Sequence, residues 1–137
     1  MIFPSIFMLD TDIVSYSVRG RYPRLDWHIA NVQNAQLCIS SISRAELRVG
    51  VLMKPEATSL AQYINEFIDR TTALAFDQMA ADCYAKVAAR LRKYGILIGQ
   101  NDTYIAAHAL SIGATLVTHN VRHFERVEGL SIVDWTV

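Results

Sequence analysis

Residues 7–14 read Phe-Met-Leu-Asp-Thr-Asp-Ile-Val, an apolar run that stops at Asp10 and Asp12 and then resumes. Charge directly after a core-type strand is costly without a partner, so the pair marks the strand's end as a place where something happens. Working outward, short runs rich in β-branched and aromatic residues recur at Ser5 to Leu9, Gln36 to Ser40, Thr72 to Phe76, Ala114 to Thr118 and Leu130 to Val133. Stretches of helical period lie between them, at Thr11 to Val18, Leu25 to Val32, Arg44 to Met53, Glu56 to Arg70, Asp77 to Lys93 and Asp102 to Ile112. Lys54-Pro55 divides the third from the fourth, and Gly113 supplies a C-terminal cap to the last. Alternation of this kind predicts α/β architecture with a mainly parallel sheet.

The chain has 137 residues, enough for one domain over positions 1–137, and 52% of them are hydrophobic, as in a globular protein. The opening MIFPSIFML lacks a basic flank, holds Pro4 and reaches Asp10 after nine residues, so neither a leader nor a membrane span is expected and the location predicted is cytosolic. Cys38 and Cys83 sit in apolar patterns and read as small core residues rather than a disulfide or metal pair. Thirteen basic and thirteen acidic side chains cancel, so net charge decides nothing about nucleic acid; only local clusters could. Arg19, Arg21 and Arg24 interleave with Tyr22 and Trp27, Arg90 and Arg92 adjoin Lys93, and Arg122 and Arg126 flank His123.

Ligands of parallel α/β sheets bind outside the carboxyl ends of the strands. Asp10 and Asp12 follow the first strand, Glu46 falls early in the helix after the second, Asp102 opens a helix, and Asn120 comes just after Ala114 to Thr118. Three or four oxygen donors at one edge suit a hard divalent cation such as Mg²⁺. Each acid also has an ordinary reading: Ser43 and Glu46 match a capping box, and Asp10, Asp12 or Asp102 could cap a helix.

Four segments together resemble a PIN-domain ribonuclease of the VapC toxin type: MLDTDIVSY (8–16), SSISRAELRVG (40–50), GILIGQNDTYIAAHAL (95–110) and LVTHNVRHFERVEGLSIVDW (116–135). They cover nearly the whole chain in order. The resemblance implies a PIN-like three-layer α/β/α fold, with Asp10, Glu46 and Asp102 as the acidic metal site for Mg²⁺ or Mn²⁺ and Asn120 at a fourth position. Asp12, Ser43 and Thr118 would support them; Asp12 stands where the family has Asn. It further implies metal-assisted hydrolysis of RNA, often tRNA, by water, leaving 5′-phosphate and 3′-hydroxyl ends and inhibiting translation. A homodimer and a cognate antitoxin, a small DNA-binding protein, are implied as well. Arg19, Arg21 and Arg24 are the candidate RNA surface, since RNA bases stack on aromatic and Arg side chains.

Three rivals stand beside this reading. Asp10 and Asp12 also fit the Asp-x-Asp start of haloacid dehalogenase-type phosphatases, which need a later pair of acids where Ala106 and Ala107 follow Asp102. His119 and His123 could act as a metal-free acid and base, or hint at zinc, with His108 expected along a helix flank and His28 elsewhere. A catalytically inactive protein- or nucleic-acid-binding module is the third.

Overall fold

Strands as short and apolar as these must be covered on both faces, and the intervening helices do it. A computed structural model describes residues 5–137; Met1 to Pro4, and the reading of them as no leader, lie outside the described residues. The elements are β1 (Phe7–Leu9), α1 (Thr11–Val18), α2 (Pro23–Asn31), β2 (Leu37–Ser40), α3 (Ser41–Met53), α4 (Thr58–Arg70), β3 (Thr72–Leu74), α5 (Gln78–Lys93), α6 (Gln100–Ser111), β4 (Thr115–Val117), α7 (Val121–Phe124) and β5 (Ser131–Val133). The five strands form one sheet in the order β3-β2-β1-β4-β5, every neighbouring pair parallel. The chain therefore builds outward from β1 in one direction, returns, and builds outward in the other. The reversal puts a crevice at the carboxyl ends of β1 and β4, where parallel sheets bind ligands.

Side chains alternate across each strand, which sorts the core into two layers. Met8, Cys38 and Leu116 face α5 to α7 and pack with Leu91, Ile105 and Phe124. Leu9, Ile39 and Val117 face the other way, with Ile13, Leu25, Ile64 and Ile68. The architecture is thus the expected α/β/α sandwich. Both cysteines are free and belong to the first layer; burial pushes the Cys38 thiol up to about 11, while Cys83 is half-buried.

Several boundaries differ from the sequence reading, each for a local reason. Helix α3 starts at Ser41 rather than Arg44, because the Ser40 hydroxyl accepts from the Ile42 N–H at 3.1 Å and becomes the N-cap. The capping box of Ser43 with Glu46 therefore does not form: Ser43 is buried inside the helix. Strand β3 ends at Leu74, since Phe76 leaves the sheet to pack edge-on against Tyr104 and His108, and Asp77 caps α5 by accepting from the Ala80 N–H at 2.9 Å. Helix α6 begins at Gln100, with Gly99 at its N-cap (φ 90°, ψ 150°), so Asp102 is inside the first turn. His108 is not on a flank; it is buried, its Nδ1 lying 2.8 Å from the Ser40 hydroxyl. No helix among the described residues is long and apolar enough to cross a membrane.

Candidate active site

The register that pairs Leu9 with Val117 ends β1 and β4 level, and the Asp10 N–H continues the ladder to the Val117 carbonyl at 3.0 Å. Asp10 and Thr118 thereby emerge side by side. Asp10 occupies the N-cap position of α1, yet its carboxylate does not cap the helix. Its Oδ2 instead accepts from the Thr118 hydroxyl at 2.8 Å, and that hydroxyl accepts in turn from the Asn120 N–H at 3.0 Å. Only 5% of Asp10 is exposed. Burial, above all, pushes its carboxyl up to about 7; the charges of Asp102 and Asp12 push the same way, and the Thr118 bond opposes them.

Glu46 arrives from α3, the helix that follows β2. Thr11 Oγ1 lies 2.6 Å from Glu46 Oε1 and 2.8 Å from Ser43 Oγ. One hydroxyl proton can serve only one of them; the carboxylate takes it, and Ser43 donates to Thr11. Asn101 Nδ2 donates to Glu46 Oε2 at 3.2 Å, so both oxygens of Glu46 are held. Asp102, half-buried in the first turn of α6, accepts at Oδ2 from His123 Nε2 at 2.9 Å. Burial raises its pKa in spite of His123, with Glu46 and Asp12 adding to the rise. The Asp102 charge is therefore felt at Asp10 and the Glu46 charge at Asp102, although the three come from separate stretches of chain.

The other candidates fall around this group unequally. Asp12 is exposed, but its charge reaches both Asp10 and Asp102. Asn120 stands at the rim, exposed, and is tied to the site through its backbone. Arg19 shares a groove with Thr11 and Glu46, whereas Arg21 sits over the Tyr16 ring at 5.5 Å and Arg24 is exposed in the first turn of α2. The two histidines of α7 and its approach serve different neighbours: His119 Nδ1 reaches Thr136 Oγ1 at 2.8 Å and Asp134 at 3.2 Å, while His123 faces Asp102. They do not form an acid-base pair or a shared zinc site. Ala106 and Ala107, where a phosphatase would need acids, are wholly buried in the core.

Thr11, Asn101 and His123 were not legible as partners of the acids. Each pairing joins residues far apart in sequence, by 35, 55 and 21 positions, and nothing local signals it.

Residues 7–130 match the PIN domain. The chain belongs to the PIN-domain family. Among relatives of this PIN domain, Ribonuclease VapC2 of Haemophilus influenzae is 39% identical over 129 residues, which span 94% of this chain and 97% of that protein. The tRNA(fMet)-specific endonuclease VapC of Shigella flexneri is 35% identical over 130 residues, 95% of this chain and 98% of that one. The PIN domain also superposes on the DNA-bound VapBC structure from Salmonella typhimurium with a TM-score of 0.89 and 32% identity, covering 96% of this chain and 99% of the other. The promoter-bound VapBC2 structure from Rickettsia felis gives 0.85 and 30%, with 95% and 98% covered.

Proposed function

We propose that this PIN domain is a divalent-metal-dependent endoribonuclease and the toxin of a VapBC-type toxin–antitoxin pair, acting on RNA, with tRNA the first substrate to test, and so inhibiting translation. The observation that carries the metal reading is the crowding of Asp10, Glu46 and Asp102 around a buried floor, where the Asp10 carboxyl is pushed up to about 7. Such crowding of hard oxygen donors fits a cation of high charge density. Among the described residues no three acidic or histidine side chains close tightly enough to cage an ion alone. Mg²⁺ or Mn²⁺ needs only one or two carboxylates, with its remaining positions left to water and phosphate. Asp10 and Asp102 would bind it directly. Glu46, held on both oxygens by Thr11 and Asn101, keeps one lone pair on each for a water or the metal.

When bound, the cation would acidify water and neutralise charge on the scissile phosphate. The chain's own residues prepare for that. Thr118 fixes the rotamer of Asp10, so the carboxylate keeps its position when its proton leaves. Thr11, braced by Ser43, does the same for Glu46. Asn120 and Asp12 line the rim, where a substrate group would pass.

The relatives named VapC and the solved VapBC complexes support the antitoxin as partner. A groove of about 160 Å³ between α1, α3 and α4, lined by Thr11, Arg19, Glu46, Lys54 and Leu60, runs up to the acids. An antitoxin segment seated there would bring a basic side chain to Glu46. A homodimer completes the proposal.

The test is cleavage of total tRNA by purified protein with Mg²⁺ or Mn²⁺, with EDTA, and with Asp10→Ala. Cutting that needs the metal and is lost in the variant is expected. Cutting that survives EDTA would overturn the metal mechanism.

A further inference from the structure

His123 lies in the single turn of α7, its side chain 21% exposed, between the acid site and an arginine. Its Nε2 stands 2.9 Å from Asp102 Oδ2 and 2.6 Å from the Ile98 carbonyl oxygen. Both neighbours are acceptors, so Nε2 carries the proton and shares it between them. On the other side of the ring, Nδ1 lies 3.3 Å from Arg126 Nη2. A guanidinium only donates and keeps its proton at any working pH, so Nδ1 presents its lone pair. Arg126 is itself anchored, donating from Nη2 to the Leu97 carbonyl at 3.3 Å and from Nε to the His123 carbonyl at 3.4 Å.

We propose that Arg126 braces His123 in the Nε2–H tautomer that Asp102 and the Ile98 carbonyl require, and that His123 so held is a positioning residue that keeps Asp102 in place for metal binding. The opposite tautomer would set the Nε2 lone pair against a carboxylate and a carbonyl while pointing an N–H at a guanidinium. The ring would have to leave. Asp102 would then lose the donor that opposes its repulsion from Glu46 and Asp12. Hydrogen bonds to a ligating carboxylate fix which oxygen remains for the metal, and losing such a partner typically lowers metal affinity by about 10- to 100-fold. The same imidazole clamps the segment at Ile98 from which α6 departs, so ligand and helix start are set by one ring. The proposal rests on Asp102 being a metal ligand.

The experiment has two arms on the full chain. Imidazole ¹⁵N–¹H correlation spectra of metal-free protein in EDTA read the tautomer; Mn²⁺ titration followed by electron paramagnetic resonance reads affinity. Wild type should show His123 protonated at Nε2 alone, and Arg126→Ala, which leaves both acceptors of Nε2 in place, should keep that tautomer while the imidazole resonances shift as the ring loses its brace. Mn²⁺ affinity should fall about 10- to 100-fold in His123→Ala, fall also in Arg126→Ala, and recover in part in His123→Gln, whose amide can donate to Asp102. The sign for Arg126→Ala is decisive, because removing a positive charge should by itself tighten cation binding. Arg122→Ala removes an equal charge from a neighbouring exposed position and should show that tightening. An Nδ1–H tautomer in wild type, or Mn²⁺ bound by Arg126→Ala as well as or better than by wild type, overturns the proposal. If Asp102→Ala leaves Mn²⁺ affinity unchanged while the tautomer behaves as stated, it is the metal reading of Asp102 that fails, and the positioning role falls with it.

Discussion

Replacing Asp10 by Asn keeps the side chain's shape and an acceptor for Thr118, and deletes one charge. Burial first, then Asp102 and Asp12, place the Asp10 carboxyl at about 7 against an ordinary 3.8. A carboxyl raised in the folded state binds more protons folded than unfolded, so stability falls as pH rises through this interval. At 1.36 kcal/mol per unit, the rise of about 3 units costs roughly 4 kcal/mol once the group is ionised, above pH 7. At pH 5 the same relation leaves a cost of about 2 kcal/mol, so metal-free wild type should lose about 2 to 3 kcal/mol between pH 5 and pH 8 on this account. Because Asp10 is only 5% exposed, solvent screening takes little from this figure. Urea unfolding of wild type and Asp10→Asn in EDTA, followed by circular dichroism across that range, measures it. The variant should be the more stable protein at pH 8, by an amount that shrinks steadily toward pH 5. Parallel profiles would refute the argument, since they would mean that Asp10 is ionised at no cost in the folded chain.

Four further outcomes follow from particular atoms. Thr118→Val removes the donor to Asp10 and the acceptor of the Asn120 N–H, and should cost about 1 to 3 kcal/mol by urea unfolding, more at pH 8 than at pH 5. Ser40→Ala deletes the cap of α3 and leaves His108 Nδ1 without its hydrogen-bond partner, for a loss of about 1 to 2 kcal/mol in the same assay. Gly99→Ala meets no atom within 4 Å but must adopt φ 90° and ψ 150°, so a loss of about 1 to 3 kcal/mol in thermal unfolding should be wholly conformational. Charge reversal at Arg19, Arg21 and Arg24 together should weaken tRNA cleavage, and unchanged cleavage would move the RNA surface elsewhere.

The parallel sheet was legible because it depends on local pattern, apolar runs of strand length with helical period between them, and Asp10 stood out as an acid just past a strand end. Ser40 shows where local pattern misleads. Two serines, at 40 and 43, could each cap α3, and the choice is made by burial of Ser43 and by His108 bonding to Ser40 from another helix. Glu46, read as the far half of a capping box, is instead held by Thr11 and Asn101. His119 and His123 look like a matched pair at helical spacing, but the first precedes α7 and turns to Asp134, while the second turns to Asp102. These assignments are long-range contacts, and sequence spacing carries no information about them.

The position of β4 bears on how such a site comes into being during synthesis. Asp10, Glu46 and Asp102 are all translated before Thr115–Val117, yet β4 inserts beside β1 near the middle of the sheet, and Thr118, which orients Asp10, directly follows it. A nascent chain that has exposed everything up to the end of α6 holds all three acids and lacks the wall they lean on. Closure of the sheet by a late, non-local strand is also a slow step in folding. Until β4 docks, the three carboxylates lie on segments that nothing has yet gathered, so any hydrolytic capacity begins only once the sheet has closed.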